Sequence, residues 1–145
     1  DIGLEFLTLH VGMGTFLPIK DKIIENHKMH YEEFFISSKL ISEIELTKRG
    51  GNRILTVGTT TLRALESYNL FARPSDSWFK TDIFINQGFE FGLTDALLTN
   101  FHLPKSSLLV LISSFLGYEL TKVSYEYAIK EKFKFYSYGD AMLIV

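Results

Sequence analysis

Two histidines in this sequence lie beside residues that could move a proton or hold an anion. The first, His10, ends an apolar stretch and is followed by Gly12, Gly14 and Thr15, where the glycines would let a ligand approach the backbone closely. Imidazole titrates near neutral pH, so it can accept or donate a proton under physiological conditions. These residues therefore form a candidate acid-base and substrate-binding site. A buried structural histidine is the alternative interpretation.

The second histidine belongs to residues 99–106, a block that combines four kinds of polar group. Asn100 offers an amide, His102 an imidazole and Lys105 an ammonium, and the flanking threonine and serines add hydroxyls. Loops on a rigid scaffold commonly carry binding groups, and a purely structural loop rarely needs all four. We therefore interpret His102 as a candidate acid or base, and Asn100 and Lys105 as candidate substrate contacts.

A short turn between a strand-like and a helix-like stretch could hold an anion. Gly58, Thr59 and Thr60 follow the apolar residues 53–57 and open a helical pattern. Backbone N–H groups at a helix start, together with threonine hydroxyls, can bind a carboxylate or a phosphate. Arg63, one turn further on, could add a planar bidentate contact to the same anion. Ordinary helix capping by the threonines is the alternative.

His27, Lys28 and His30 form a third group. Two histidines three residues apart would share a face of a helix and could bind zinc with a third ligand from elsewhere. The chain has no cysteine to complete a thiolate site, and the spacing is not that of a helical zinc-protease motif. Substrate contact is therefore the preferred interpretation, with no metal predicted, and a metal-dependent hydrolase stays as an alternative.

Near the end of the chain, residues 133–140 alternate aromatic side chains with Lys134 and finish at Asp140. Such rings could stack on the bases of single-stranded RNA. Aromatic residues at alternate positions equally describe the buried face of a strand, and this packing interpretation is the stronger one on local grounds. Under either interpretation, Asp140 is a candidate orienting carboxylate.

The composition describes one globular unit without a membrane segment. The chain has 145 residues, of which 46% are hydrophobic and 14% aromatic, enough for a sizeable core. No run approaches the roughly 18 apolar residues that a membrane span requires, and neither cysteine nor a signal-peptide pattern is present, which favours the cytoplasm. A formal charge of −2 argues against a free-standing nucleic-acid binder. Any nucleic-acid contact must be local or shared.

Strand-like and helix-like segments succeed one another along the chain. Strands are predicted at residues 4–11, 34–36, 53–57, 82–85 and 141–145. Helices are predicted from a cap at Ser37 or Ser38 to Gly50, and at residues 62–68, 106–116 and 118–132, with an exposed loop at residues 71–80. Their alternation predicts an α/β fold with a mostly parallel sheet flanked by helices.

Six of these blocks, taken in order, resemble the S-adenosylmethionine:tRNA ribosyltransferase-isomerase family of queuosine synthesis. The blocks are residues 9–16, 27–30, 57–67, 81–85, 99–106 and 138–144. The resemblance spans nearly the whole chain, and six ordered blocks are far more specific than a single glycine-containing loop.

The resemblance implies that S-adenosylmethionine donates its ribosyl group to 7-aminomethyl-7-deazaguanine in tRNA, giving epoxyqueuosine and releasing adenine and methionine. S-adenosylmethionine would then be a consumed substrate, and no cofactor is implied. The resemblance also implies that residues 1–145 are the carboxyl-terminal portion of the large α/β domain of a two-domain enzyme. The upstream part of that domain and a smaller β-barrel insertion would be absent, so the upstream segment is expected as a partner beside tRNA.

The reaction needs a base for the ribosyl carbon beside the sulfonium and an acid that assists adenine departure. We assign His10 and His102 to these roles in unspecified order, with Asp140 orienting them. The anion-binding turn would take the methionine carboxylate or a phosphate, and Lys28, His30 and Lys105 could face the anticodon loop. A non-catalytic α/β ligand-binding module, using only the turn at residues 58–60, is the competing hypothesis.

Overall fold

A computed structural model describes residues 2–71 and 74–145 of the chain. Within them lie four α-helices and six strands, joined by loops and two single 3₁₀ turns, Met13–Phe16 and Ile24–Asn26. The strands are β1 (Thr8–His10), β2 (Glu32–Ile36), β3 (Leu55–Val57), β4 (Ser77–Thr81), β5 (Ala96–Asn100) and β6 (Ala141–Ile144). The helices are α1 (Ser38–Arg49), α2 (Thr59–Phe71), α3 (Ser107–Leu116) and α4 (Tyr118–Lys130).

The strands form two separate three-stranded sheets. The first has the order β1-β2-β4 with both pairs antiparallel, and the second has the order β3-β5-β6. In the second sheet β3 and β5 run parallel, whereas β5 and β6 run antiparallel. Helix α2 follows β3 directly and packs against both sheets.

The predicted α/β class is confirmed, but the strand pairing differs from the prediction of one mostly parallel sheet. Of the four pairings among the described residues, only β3 with β5 is parallel. A parallel pair needs a long crossover connection, usually helical, and α2 lies on the chain between β3 and β5. The sequence pattern indicated the alternation of elements but not which strands become neighbours.

Two segments near the middle of the chain also differ from the prediction. Residues 77–81, predicted as an exposed loop, form β4 and pair with β2 along its whole length. Residues 82–85, predicted as a strand, pair with no strand of the described chain, and Ile83 and Ile85 are buried in the core instead. The turn-forming residues before Ser77 favoured a loop that continues to Lys80. In the structure β4 begins directly after Asp76.

Local signals placed the ends of α1 and α3 and the start of α4 correctly, whereas α2 extends three residues beyond the predicted 62–68 at each end. Ser37 caps α1 by accepting the backbone N–H of Leu40 at 3.2 Å, and Ser106 caps α3 by accepting that of Leu109 at 3.1 Å. Gly117 ends α3 and starts α4 with a φ of 89°. A serine side chain satisfies a helix-terminal N–H that would otherwise lack a partner, so these positions can be found without knowing the fold.

Two hydrophobic clusters make up the core, and α2 contributes to both. Phe34, Ile36, Leu40, Ile44, Ala64 and Leu65 pack between the first sheet, α1 and α2. The second cluster lies between the second sheet, α2 and α3, and contains Leu62, Ile83, Ile85, Leu97, Leu111, Ile112 and Ile144. Helix α2 is therefore the element shared by the two halves of the core.

The second sheet buries one face and leaves apolar side chains exposed on the other. Thr56, Leu97 and Ile144 are paired neighbours on the buried face. On the opposite face the adjacent row is formed by Val57, Leu98 and Leu143, of which Val57 is 60% and Leu143 58% exposed.

Among the described residues, no single helix is both long and apolar enough to cross a membrane. Helices α3 and α4 reach the required length and composition only when taken together, and they meet at a bend of 117°.

The two faces of the second sheet predict changes in stability of very different size for a leucine-to-alanine substitution. Leu97 is fully buried and Leu143 is 58% exposed, so we expect Leu97→Ala to lower the free energy of unfolding by about 2–5 kcal/mol. Leu143→Ala should change it by about 0.5 kcal/mol or less. Urea unfolding followed by circular dichroism measures both, and equal losses would contradict the assignment of the faces.

Candidate functional site

Three of the predicted polar blocks meet at one edge of the second sheet. Because β3 and β5 are parallel, with Val57 paired to Leu98, their carboxyl ends lie at the same edge. The backbone N–H of Gly58 donates to the carbonyl of Leu98 at 2.8 Å, which brings the anion-binding turn beside the end of β5. Ala141 pairs with Asn100, so the start of β6 lies at this edge as well. In open α/β sheets, this edge is where ligands usually bind.

The turn after β3 leads directly into helix α2. Gly58 has a φ of 89°, a left-handed conformation that glycine adopts without strain, and Thr59 and Thr60 form the first turn of α2. Thr59 is buried, and the hydroxyl of Thr61 donates to the carbonyl of Val57 at 2.8 Å. The start of the helix therefore faces the sheet edge, with Thr61 joining it to β3.

His102 is held just beyond the end of β5. Its Nε2 lies 3.1 Å from the hydroxyl of Thr99, and its backbone N–H donates to the phenol of Tyr125 at 3.0 Å. Burial lowers the pKa of His102 from 6.5 to about 4, because the charged imidazolium loses hydration. Burial likewise raises the pKa of Tyr125, although the hydrogen bond from His102 opposes that change. At neutral pH His102 is therefore a neutral imidazole that can accept a proton.

Asn100 and Asp140 are joined through the loop that precedes β6. The amide of Asn100 donates to the carbonyl of Asp140 at 3.3 Å and to that of Gly139 at 3.5 Å. The carboxylate of Asp140 accepts the backbone N–H of Lys134 at 2.7 Å, and its own N–H donates to the carbonyl of Lys134 at 2.8 Å. Asp140 thus closes the loop before β6, and its carboxylate is engaged by the backbone of that loop rather than by His10 or His102.

The aromatic residues before Asp140 include a packed group. The ring of Phe101 lies 5.2 Å from that of Phe135, 5.7 Å from that of Phe133 and 5.4 Å from that of Tyr125, measured between centroids. Edge-to-face and offset pairs at such distances are favourable contacts. Phe133 and Phe135 therefore pack against Phe101, but on a loop and not on the buried face of a strand as the alternative interpretation had it. This group supports the segment that carries His102.

Gly12 and Thr15 lie around a buried carboxylate that the sequence analysis did not single out. Oε1 of Glu32 accepts the backbone N–H of Gly12 at 3.0 Å and the hydroxyl of Thr15 at 2.5 Å. Its other oxygen lies 2.5 Å from Nη1 of Arg63, and the two side chains are 0% and 4% exposed. Burial lowers the pKa of Arg63, and the charge and hydrogen bond of Glu32 oppose that change. Arg63 is thus used inside the fold rather than presented at the surface.

His10 lies on the other face of the first sheet from this ion pair. It is exposed, and its ring stacks on Trp78 with centroids 5.0 Å apart and an interplanar angle of 13°. His102, by contrast, contacts Thr99 and Tyr125. The described residues therefore show no direct link between the two histidines that the sequence analysis paired.

His27, Lys28 and His30 follow the turn Ile24–Asn26 in extended backbone rather than on a helix. Nδ1 of His27 lies 3.1 Å from the carboxylate of Asp21, and the His27 ring packs edge-on against Phe84. The ring of His30 lies against Gly14, where an added Cβ would come within 2.1 Å of it. Lys28 is exposed. Across residues 2–71 and 74–145, no group of three or more histidine, aspartate or glutamate side chains is arranged to hold a metal ion.

Lys105 connects the edge of the second sheet to the segment after the turn Met13–Phe16. Its carbonyl accepts the backbone N–H of Ile19 at 2.8 Å, and its φ is 62°, which is uncommon for a residue with a side chain. The side chain of Lys105 is exposed. Ser107, at the start of α3, donates to the carbonyl of Thr15 at 3.5 Å. The loop before α3 therefore lies next to residues 15–19.

Sequence reasoning missed Glu32, Glu66 and Tyr125. Glu32 alternates with Phe34 and Ile36 on β2, so the period of a strand could have predicted one buried carboxylate there. Glu66 is fully buried and accepts the backbone N–H groups of residues 92–94 at 2.8–3.1 Å. Its position four residues after the buried Leu62, on the same face of α2, is a comparable signal. Nothing local distinguishes Tyr125 from the other tyrosines of α4.

The fold and this sheet edge define an α/β protein with a polar site at the carboxyl ends of parallel strands. The sequence model of the queuosine biosynthesis protein family matches residues 1–144, and the chain belongs to that family. The S-adenosylmethionine:tRNA ribosyltransferase-isomerase of Treponema denticola is 51% identical over 146 aligned residues, which cover 99% of this chain and 42% of that protein. The enzyme of the same name from Polynucleobacter necessarius is 49% identical, covering 95% of this chain and 39% of its own length.

A solved structure is also similar. The crystal structure of an S-adenosylmethionine tRNA ribosyltransferase from Thermotoga maritima matches with a TM-score of 0.71 and 42% sequence identity. The match covers 79% of this chain and 41% of that one. The present chain thus spans about two fifths of the length of the relatives that it matches.

The buried ion pair predicts a large loss of stability when one partner is removed. Glu32→Gln or Arg63→Met would leave an uncompensated buried charge, so either should lower the free energy of unfolding by about 3–5 kcal/mol. Glu45→Gln breaks the exposed pair with Arg49 and should cost about 0.5 kcal/mol or less. Denaturant unfolding of the three variants measures the difference, and a loss from Glu32→Gln no larger than that from Glu45→Gln would refute the role of the pair.

The pKa of His102 predicts a component of stability that depends on pH. Its pKa is about 4 in the fold and 6.5 otherwise, so between these values the unfolded chain binds more protons and stability decreases as pH falls. The effect is at most about 3 kcal/mol, at about 1.4 kcal/mol per pH unit. His102→Gln should remove this component and flatten the curve. Unfolding free energies of parent and variant between about pH 4 and pH 7 test this, and parallel curves would show that His102 is not held neutral.

Proposed function

We propose that this chain carries part of the active site of an enzyme that transfers and isomerises the ribosyl group of S-adenosylmethionine onto 7-aminomethyl-7-deazaguanine in tRNA. The product is epoxyqueuosine-tRNA, and adenine and methionine leave. The observation that carries the proposal is about 50% identity, over nearly the whole chain, to proteins named S-adenosylmethionine:tRNA ribosyltransferase-isomerase. S-adenosylmethionine is consumed as a substrate, tRNA is the partner, and the cytoplasm is the proposed setting.

His102 is the first candidate for the proton-transfer step. Burial lowers the pKa of His102 to about 4, so its imidazole is neutral at physiological pH but also a weaker base. The proposal therefore rests on the position of His102 just beyond the end of β5 rather than on this shift. Thr99 and Tyr125 fix the ring and the backbone of this residue. Asn100, on the same strand end, is placed to contact the substrate beside it. His102 therefore takes the ribosyl proton in the proposed scheme.

His10 remains the proposed acid, acting from the first sheet. Its ring is exposed and supported by stacking on Trp78, which leaves the imidazole nitrogens open to a substrate on that side. Asp140 acts as a positioning residue, because its carboxylate shapes the loop next to Asn100. A substrate that reaches both histidines must extend from the edge of the second sheet toward the first.

The start of α2 is the proposed site for the methionine carboxylate or a phosphate. Gly58, Thr59 and Thr60 present the end of the helix at the same sheet edge as His102, and a helix start favours a negative charge. Arg63 supports this site indirectly, since it anchors α2 to Glu32. Gly12 and Thr15 are linked to α2 through Glu32, which accepts their hydrogen bonds and contacts Arg63. Gly14 lies against His30, and we propose that His27, Lys28 and His30 contact the substrate from that segment.

The experiment measures transfer of label from ribosyl-labelled S-adenosylmethionine to tRNA bearing 7-aminomethyl-7-deazaguanine. The chain is assayed alone and together with the part of the Treponema denticola relative that it does not match. We expect transfer with that supplement, and His102→Gln should lower turnover by about 100-fold or more, since proton transfer typically contributes that much. Lys130→Gln, on the exposed end of α4, is the matched control and should leave turnover unchanged.

The outcomes separate the proposal from its competitor. Binding of S-adenosylmethionine without any transfer, with or without the supplement, would favour the non-catalytic binding module. Full turnover by His102→Gln would remove His102 from the proposed mechanism while leaving the activity itself in place. The same assay on His10→Ala decides separately whether the exposed histidine takes part.

A further inference from the structure

A cleft with a volume of about 450 Å³ lies between α4 and β6, but a second, smaller cleft carries more chemistry. This lysine cleft has a volume of about 270 Å³ and lies between residues 19–24 and the start of α3. Lys20, Asp21 and Lys22 line one wall, and Lys105 and Val110 line the other. Three lysine side chains therefore line a single small depression, on a chain whose formal net charge is −2.

The lysines of this cleft differ from those on the first sheet and α1. Lys39 pairs with Glu5, Lys48 with Asp95 and Lys80 with Glu33. Lys20, Lys22 and Lys105, by contrast, form no ion pair with any described residue.

The single carboxylate in the cleft is already engaged. Asp21 lies 3.1 Å from the ring of His27, which faces it from the neighbouring segment. Asp21 offsets one of the three lysine charges, so the residues that line the cleft keep an excess of positive charge. Unneutralised lysines grouped in a depression are what a phosphate requires.

The backbone around the cleft is fixed and lies next to the candidate active site. The hydrogen bond from Ile19 to Lys105 joins the two walls, and Ser106 caps α3 directly after Lys105. His102 lies three residues before Lys105 on the same loop. A polyanion with one residue at His102 would therefore have its backbone at the lysine cleft.

We propose that the lysine cleft holds a backbone phosphate of tRNA beside the nucleotide that reacts. The inference rests on the proposed function, because that function makes tRNA the substrate. Lysines recognise phosphate as point charges without reading sequence. The cleft would thus fix the position of the RNA strand, and the sheet edge would select the base.

The test compares the salt dependence of tRNA binding between variants of equal net charge. Fluorescence anisotropy measures the affinity of the chain for tRNA bearing 7-aminomethyl-7-deazaguanine over a series of salt concentrations. We expect Lys20→Gln/Lys22→Gln to reduce the slope of log affinity against log salt by about 1 for each phosphate that the lysines no longer neutralise. Lys122→Gln/Lys130→Gln removes two exposed lysines of α4 and should leave the slope unchanged.

A third variant tests the opposite wall of the cleft. Lys105→Asn removes the charge, and asparagine tolerates the left-handed backbone at this position better than most residues. This variant should lower the slope as the double substitution at Lys20 and Lys22 does, with an unchanged circular dichroism spectrum. Inorganic phosphate at the same ionic strength as chloride is the second arm. Phosphate binding that requires the three lysines but leaves the affinity for tRNA unchanged would identify a free-phosphate site instead.

Unmeasurable tRNA binding by the unaltered chain, or equal slopes for the cleft and α4 variants, would overturn the proposal. These readouts do not involve ribosyl transfer. If no ribosyl transfer occurs but the cleft variants still lower the salt slope, the cleft is an RNA-phosphate site and the proposed reaction is wrong. If transfer occurs but the cleft and α4 variants have equal slopes, the proposed reaction stands and the proposed role of the cleft is wrong.

Discussion

The ion pair between Glu32 and Arg63 is the contact on which the arrangement of the two sheets depends. Glu32 belongs to the central strand of the first sheet, and Arg63 lies on α2, directly after the edge strand of the second. Both side chains are almost fully inaccessible, so neither charge can be hydrated if the other is withdrawn. The two sheets can therefore separate only at the cost of exposing or isolating a charge.

Glu32 also connects this interior contact to the candidate site. The oxygen that does not face Arg63 accepts hydrogen bonds from Gly12 and Thr15. One carboxylate thus fixes the turn after β1 and, through Arg63, the start of α2. Two further polar residues of α2 make similar buried contacts. Glu66 accepts the backbone N–H groups of residues 92–94 before β5, and the hydroxyl of Ser67 lies 2.6 Å from that of Thr81.

The fold could be predicted where the determining interactions are local. Ser37 and Ser106 cap helices through residues three positions away, and such signals survive without any knowledge of the tertiary structure. Strand pairing is not local, since β4 becomes a strand only because β2 lies beside it. Residues 82–85 are more apolar than β4 but pack as unpaired chain in the core, so composition alone favoured the wrong segment as the strand.

The candidate site likewise has a part that could be predicted from the sequence and a part that could not. The blocks around Gly58 and Asn100 meet because the parallel strands β3 and β5 end at one edge, a consequence that the α/β prediction already contained. Asp140 joins them only because β6 runs antiparallel to β5, which the predicted mostly parallel sheet did not contain. The position of His10 depended instead on strand parity. Leu9 pairs with Phe34 toward the core, so its neighbour His10 must point outward. The prediction of a largely buried strand at residues 4–11 concealed that alternation.

The loop between β5 and α3 carries an uncharged side chain and a charged one at different positions. Burial keeps His102 uncharged, whereas Lys105, on the same loop, remains exposed. His102 and Lys105 are thus three residues apart on one short loop. The loop is held by a hydrogen bond to Tyr125 at His102 and by one from Ile19 at Lys105. An uncharged imidazole does not repel the sulfonium of the proposed substrate, whereas the exposed ammonium of Lys105 suits an anionic backbone.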